Sequence, residues 1–372
     1  MPSVRIGLIG FGTVGQAIVA LNRPWRGVTF EIVRAVVRDL DRPRPVHLPL
    51  TTNPQDVLDD PTLDIIVEVA GGLDKPKEWI ARALANGKAV VTANKEVMAR
   101  HGADLLQQSQ EWDTYLGFEA SVAGGIPVVE SLEHHLTTAP IQAIGGVLNG
   151  TSNFLLSSQQ QGANLERAIR EAQALGYAEA NPASDLSGAD AARKLTILCW
   201  LAFGVWLDVE AIPRTAIQDY PPAIWARLQE AGFTIRPWAD ATLDAHGAVS
   251  AFVAPIAVSR AHPAFNLVGP QNGVWVRSHA GTFWLQGPGA GGLATATSIW
   301  SDIRRSQVVR HPLAPVDIGP RVGRPTPPTH PYLVVAVDPD RAIPGERLGP
   351  GLSRTNELPA PQDGLWLFPL LA

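Results

Sequence analysis

Asp190 and Lys194 stand four residues apart in Ala189-Asp190-Ala191-Ala192-Arg193-Lys194, and a helix over this run would carry both on one face. The ordinary outcome of such spacing is an exposed ion pair of little consequence. Here the same stripe continues through Leu198, Leu201 and Val205, which turns the pair toward a core. Desolvating two ions is costly unless a ligand or further polar groups complete their surroundings. The choice of cation adds to the argument. Of 30 basic residues only Lys75, Lys77, Lys88, Lys95 and Lys194 are lysines, and Lys194 directly follows Arg193. Arginine keeps its proton, whereas a partly desolvated lysine flanked by carboxylates can hold or pass one. The pattern suits acid–base chemistry at a substrate oxygen, with Lys194 moving the proton and Asp190 orienting it. Glu179 and Asp185, in the segment just before, supply further carboxylates.

A second group of residues suits a phosphate-bearing cofactor. Gly10-Phe11-Gly12-Thr13-Val14-Gly15 follows a strand-like Val4–Ile9 and opens a helical pattern. Gly10 permits the tight turn, Gly12 lets backbone approach a pyrophosphate, and Gly15 allows helix and strand to pack closely. The helix N-terminus favours the negative charge. A ribose-reading residue belongs at the end of the next strand, where the chain has Val37-Arg38-Asp39. Arg38 in a place where an acid would select NAD favours a 2′-phosphate, hence NADP, while Asp39 keeps NAD open. Arg42 and Arg44 read as an ordinary solvated loop.

These groups need a scaffold. Residues 1–135 alternate short apolar strands (Val4–Ile9, Glu31–Val37, Ile65–Val69, Ala89–Thr92, Tyr115–Glu119) with amphipathic helices (Val14–Leu21, Pro76–Ala85, Glu96–Gln110), the grammar of a doubly wound parallel sheet of Rossmann type. Strand ends at Glu68–Gly72 and Thr92–Lys95 would line its crevice, so Gly71, Ala93 and Lys95 join the cofactor candidates. Residues 136–292 read as a separate α+β domain that carries the catalytic helix, with strands at Val249–Val258, Gly273–Ser278 and Gly281–Gln286. A helix at Thr295–Val308 would return the chain to the first domain, completing it with about residues 293–310. Residues 311–372 hold 13 prolines in 62 positions and offer strands near Tyr332–Val337 and Leu365–Phe368. This Pro-rich region reads as a degenerate or replaced domain, or a flexible extension.

The 372 residues carry a formal charge of −5, with no basic surplus for nucleic acid. A single cysteine, Cys199, lies in an apolar helical pattern and fits a reducing compartment. No leader or membrane-spanning run is evident, so a cytoplasmic location and no membrane partner are expected. A nucleotide sensor without catalysis would keep the glycine loop and lose the inward acid–lysine pair. This chain keeps both.

With these residues in view, the chain resembles the homoserine dehydrogenases. The resemblance runs from Gly10–Gly15 through Thr92-Ala93-Asn94-Lys95, Glu119-Ala120-Ser121-Val122-Ala123-Gly124-Gly125-Ile126-Pro127, Leu148-Asn149-Gly150-Thr151-Ser152-Asn153, Gly176–Lys194 and Gly287-Pro288-Gly289-Ala290-Gly291. It implies hydride transfer between a nicotinamide and C4 of an amino-acid substrate. Lys194 would be the proton donor, Lys95 a second lysine near the reacting oxygen, and Gly291 a cofactor contact. Glu179 would hold the substrate ammonium, with Thr151, Tyr177 and Asp185 nearby. Glu119 with the carbonyls of Val122, Gly124 and Ile126 would hold a monovalent cation, sodium, and the chain would form a homodimer, with 136–292 also its dimerisation domain. Asn181 and Ser184 depart from aspartates common in the family, which puts substrate affinity in question. Longer members end in a regulatory domain, which 311–372 does not match. Another Rossmann-fold dehydrogenase of a small amino or oxo acid is the alternative, because the fold does not fix the substrate.

Overall fold

The structure, a computed structural model, describes residues 3–45, 47–309, 321–323, 331–356 and 364–371. It comprises two units, Met1–Pro140 with Thr196–Trp206 and Pro288–Val322, and Ile141–Leu195 with Leu207–Gly287 and Gly323–Ala372.

The first unit is built on six parallel strands, β1 (Ser3–Ile9), β2 (Thr29–Val36), β3 (Leu50–Thr51), β4 (Ile65–Glu68), β5 (Ala89–Thr92) and β6 (Leu116–Gly117). Their order is β3-β2-β1-β4-β5-β6. Ile6, Leu8 and Ile9 of β1 are all buried, as a central parallel strand covered on both faces requires. The order reverses beside β1, which pairs with β2 on one side and β4 on the other, opening a crevice at the strands' C-terminal ends. The helices are α1 (Thr13–Ala20), α2 (Gln55–Leu58), α3 (Asp74–Ala85), α4 (Lys95–Glu111), α5 (Val128–His134) and α11 (Gly292–Arg305). Ala296, Ile299, Trp300 and Ile303 of α11 join the core of β1 and α1, so this late helix is an integral part of the unit.

The second unit contains β7 (Ile141–Val147), then α6 (Gly150–Gln160), α7 (Leu165–Ala174), α8 (Ala183–Leu186), the start of α9 (Ala189–Phe203) and α10 (Pro222–Glu230). The strands β9 (Phe233–Leu243), β10 (Val249–Ser259), β11 (Gln271–Ser278) and β12 (Gly281–Pro288) follow. From the last stretch come β14 (Tyr332–Ala336), β15 (Glu346–Gly349), β16 (Leu352–Thr355) and β17 (Leu365–Leu371). All but the helices belong to one nine-stranded sheet, β12-β11-β7-β9-β10-β17-β14-β16-β15. Two shorter strands, β8 (Val205–Leu207) and β13 (Arg321–Gly323), pair separately.

Three expectations need correction. The strand expected over Tyr115–Glu119 shrinks to β6, and a 3-10 turn takes Glu119–Ser121, because Asp302 of α11 captures the Glu119 amide at 2.9 Å and the Tyr115 hydroxyl at 3.2 Å. The long strand β9 was not expected, since Arg236, Pro237 and Asp240 interrupt its apolar pattern. Both charged residues are nonetheless buried, Arg236 donating to the carbonyls of Ala264 and Phe265 and Asp240 accepting from Trp238. Lastly, the described part of the Pro-rich region is no loose extension. Leu333, Val335, Leu352, Phe368 and Leu370 share one buried cluster with Leu156, Tyr220, Trp225, Leu228 and Ile235. The intervening residues 310–320, 324–330 and 357–363 lie outside the described set.

Candidate functional site

In the second unit, the end of β7 and the start of α9 meet in a buried polar cluster. Lys194 and Asp190 are 8% and 3% exposed, and Lys194 Nζ lies 2.8 Å from Asp190 Oδ2. The same ammonium donates to the Leu148 carbonyl at 2.7 Å. Asn149 ties the acids together, its Nδ2 donating to Asp185 Oδ1 and to Asp190 Oδ2, each at 2.7 Å. Its Oδ1 accepts the Ser152 amide and thereby caps α6. One side chain thus starts a helix and fixes two carboxylates. Ser152 Oγ donates to the Asp185 carbonyl at 2.9 Å, and Asn272 Nδ2 to that of Leu148 at 3.1 Å. A buried lysine between a carbonyl and a carboxylate, with the carboxylate itself hydrogen-bonded, is held in one position, unlike a mobile surface cation.

The inward stripe holds, with Leu198 and Leu201 buried, although Val205 lies beyond the helix, in β8. Asn149 stood within a quoted motif but not among the candidates, and Asn272 was missed altogether. An asparagine at the N-cap position after a strand was a legible signal for the first; nothing local marks the second. Thr151 and Tyr177 also meet, the Thr151 hydroxyl donating to the Tyr177 carbonyl at 2.6 Å. Tyr177 is exposed and its ring packs on Phe154. Glu179 is exposed, and its backbone carbonyl accepts from Gln173. Of the two departures, Asn181 Oδ1 accepts the Ala183 amide, and Ser184 Oγ accepts from Arg193. Both shape the loop before α9.

In the first unit, Gly10 has φ 105°, and a Cβ there would stand 2.7 Å from the Val69 backbone. Gly15 is equally confined, its Cβ position 2.6 Å from the Gly10 carbonyl. Phe11, Gly12, Thr13 and Val14 complete the turn, and α1 has no side-chain cap and no acid in its first turn, leaving its amides to an anion. Arg38 and Asp39 are exposed just past β2. Asp39 Oδ1 accepts the Asp41 amide, and Arg44 donates to the carbonyls of Asp39 and Arg42, so Arg44 braces this loop. At the neighbouring strand ends, buried Glu68 accepts from the Ala70 amide and the Thr92 hydroxyl, and burial raises its pKa. Asn94 caps α4 and donates to the Gly72 carbonyl at 2.9 Å. These two residues, absent from the candidates, fix the loops carrying Gly71, Ala93 and Lys95. Lys88 finds a structural role, donating to the carbonyls of Asp60 and Leu63.

The loop after β6 is tightly held. Both Glu119 carboxylate oxygens accept amides of α5, from Val129 at 2.9 Å and Glu130 at 2.7 Å. Burial, then the nearby Asp302 carboxyl, push Glu119 up to about 8, and burial pushes Asp302 up to about 7. The Gly124 carbonyl accepts from Ser298 and the Ile126 carbonyl from the Val128 amide. A Cβ on Gly124 would stand 2.5 Å from the Gly289 backbone, which accounts for the glycine at 124. Gly291 precedes α11 with φ 110°. Among the described residues no cluster of three or more His, Cys, Asp or Glu could hold a metal ion, and no helix is long and apolar enough to cross a membrane.

The chain is similar to known proteins. Residues 10–119 match the family model for the homoserine dehydrogenase NAD-binding domain, and residues 127–303 match the homoserine dehydrogenase model. The homoserine dehydrogenase of Bacillus subtilis is 38% identical over 315 residues, covering 82% of this chain and 72% of its own. The crystal structure of a homoserine dehydrogenase from Thiobacillus denitrificans superposes with a TM-score of 0.83 at 34% identity, covering 90% of this chain and 83% of that one. A hyperthermophilic archaeal homoserine dehydrogenase in complex with NADPH gives 0.69 at 27% identity, covering 82% and 98%.

Proposed function

The chain belongs to the homoserine dehydrogenase family, and from that premise we propose how its residues divide the work of interconverting L-aspartate 4-semialdehyde and L-homoserine. The first unit holds NAD(P), its phosphates on Gly10–Gly15 and the α1 N-terminus, with Gly71, Ala93, Lys95 and Gly291 as further contacts. The bound nicotinamide supplies or accepts the hydride. The second unit holds the amino acid, Glu179 facing its ammonium and Thr151, Tyr177 and Asp185 completing the contacts. Lys194 gives its proton to the C4 oxygen as the aldehyde is reduced and takes it back in the reverse direction. Asp190 keeps the lysine charged and aimed, and Asn149 fixes Asp190 and Asp185 together. Lys95 is the second lysine proposed for the reaction.

The observation that carries this reading is the Leu148–Lys194–Asp190–Asn149 chain of hydrogen bonds inside a buried cluster, a costly arrangement for a merely structural lysine. The direct check follows reduced nicotinamide by absorbance with homoserine and either cofactor. No turnover with either would remove the assignment.

NADP is the preferred cofactor in this proposal. Asp39, the residue that would read an unphosphorylated ribose, already accepts a hydrogen bond within its own loop, while Arg38 stands exposed beside it. Arg38→Ala is expected to raise KM for NADP about tenfold or more, the loss of one charge-assisted hydrogen bond, with little change for NAD. Equal effects on both cofactors would contradict the phosphate role.

The Glu119 loop is proposed to hold sodium through oxygen donors, Glu119 and the carbonyls of Val122, Gly124 and Ile126. A buried acid beside carbonyl oxygens is a donor set suited to a hard cation. Sodium should therefore raise the melting temperature relative to a bulky organic cation at equal ionic strength; identical melting would argue against the site. A homodimer through the second unit's sheet, a cytoplasmic location and a role in threonine and methionine biosynthesis complete the proposal.

A further inference from the structure

The first unit has a hollow of about 460 Å³ that none of the roles above uses, lined by Trp25, Arg26, Glu130, Ser301, Arg304 and Arg305 among others. Its polar groups are arranged unevenly. Arg305 pairs with Glu133 through NH1 and its side chain is 8% exposed, yet its Nε and NH2 have no hydrogen-bond partner. Arg304 Nε is likewise buried and unpartnered. Glu130, the acid of the hollow itself, accepts from Ser301. Basic residues in the last turn of α11 offset its negative end, which explains why arginines stand there. It does not explain buried guanidinium N–H groups left without acceptors, a costly condition.

Arg26 adds an independent mark. The reciprocal bonds between Trp25 and Val28 close a two-residue turn in which Arg26 has φ 47° and Gly27 φ 80°. Glycine or asparagine is the unstrained choice at that first position. The arginine there sets its guanidinium over the Trp25 ring, 4.9 Å from the centroid, at the mouth of the same hollow.

We propose that this hollow binds a small phosphate-bearing anion. Arg305 Nε and NH2 and Arg304 Nε supply N–H donors that lack acceptors, Arg26 closes over the charge, and the Trp25 face supplies a flat apolar wall. Three guanidinium groups against Glu130 and Glu133 leave a positive excess suited to a multiply charged oxyanion rather than a lone carboxylate. The volume exceeds what inorganic phosphate needs and fits a phosphate monoester.

The test is calorimetric titration of inorganic phosphate into the cofactor-saturated enzyme at low ionic strength, so that the glycine loop is already filled. One saturable site per chain is expected, weakened about tenfold or more by Arg304→Gln and by Arg26→Gly, with acetate at matched ionic strength giving no saturable heat. Turnover without phosphate should be unchanged in both variants, and neither should melt below the parent, Arg26→Gly relieving the strain at φ 47°. Absence of saturable binding, binding that survives both substitutions, or acetate binding as well as phosphate would each overturn the proposal.

Discussion

Lys194→Ala is expected to lower turnover by roughly 10²–10⁴-fold, the range typical of a lost acid–base group, while KM for the cofactor stays nearly unchanged. The separation follows from position. Lys194 belongs to the second unit, where its ammonium bonds Leu148 and Asp190, whereas the glycine loop belongs to the first. Removing the ammonium also leaves Asp190 a buried carboxylate short of its cation, so some loss of stability accompanies the loss of rate. Lys194→Arg separates the two effects. It restores a charge beside Asp190 but cannot release a proton, so stability should recover while turnover does not. Steady-state kinetics and thermal unfolding of both variants decide the matter, and near-normal turnover in either would take Lys194 out of the mechanism.

Phe368→Ala is expected to destabilise the second unit by about 3–5 kcal/mol, the cost of emptying a large aromatic site in a packed core. Phe368 is 2% exposed and its ring packs tilted against Tyr220, with centroids 5.5 Å apart. Trp366 meets the same tyrosine edge-on at 5.0 Å. The cluster also supports the segment that carries Asp185, since Leu186, the next residue, packs against it and its carbonyl accepts the Ile217 amide. Chemical denaturation measures the loss, and a change below about 1 kcal/mol would show that the C-terminal strands are dispensable. Phe368→Leu, which keeps most of the buried volume, should cost far less.

The first unit was legible because its signals are local. Gly10–Gly15 sits between a strand and a helix, and the runs at Val4–Ile9 and Ala89–Thr92 are apolar without interruption. The acid–lysine pair was legible for the same reason, a spacing of four and a stripe of leucines behind it. What escaped depends on distant partners. Asp302 diverts the chain at Glu119 from 183 positions away. Arg236 and Asp240 hide a strand by being charged, and only the surrounding carbonyls, tryptophan and hydroxyl make their burial tolerable. The C-terminal strands were underestimated because prolines dominate the composition there, while the apolar residues that matter, Leu333, Val335, Phe368 and Leu370, are few.

Strand β17 lies between β10 and β14 in the nine-stranded sheet, and it pairs with β10 through Ala257↔Leu370 and Val258↔Leu371. On a translating ribosome, the first unit's six strands emerge long before this interior strand has been made. Nascent chains therefore wait with Tyr220, Trp225 and Ile235 lacking their cover until the last described residues leave the exit tunnel. Such long-range closure folds slowly, and it makes early release of the chain, by a premature stop codon or a stall, a route to a sticky half-finished lobe rather than to a smaller working enzyme.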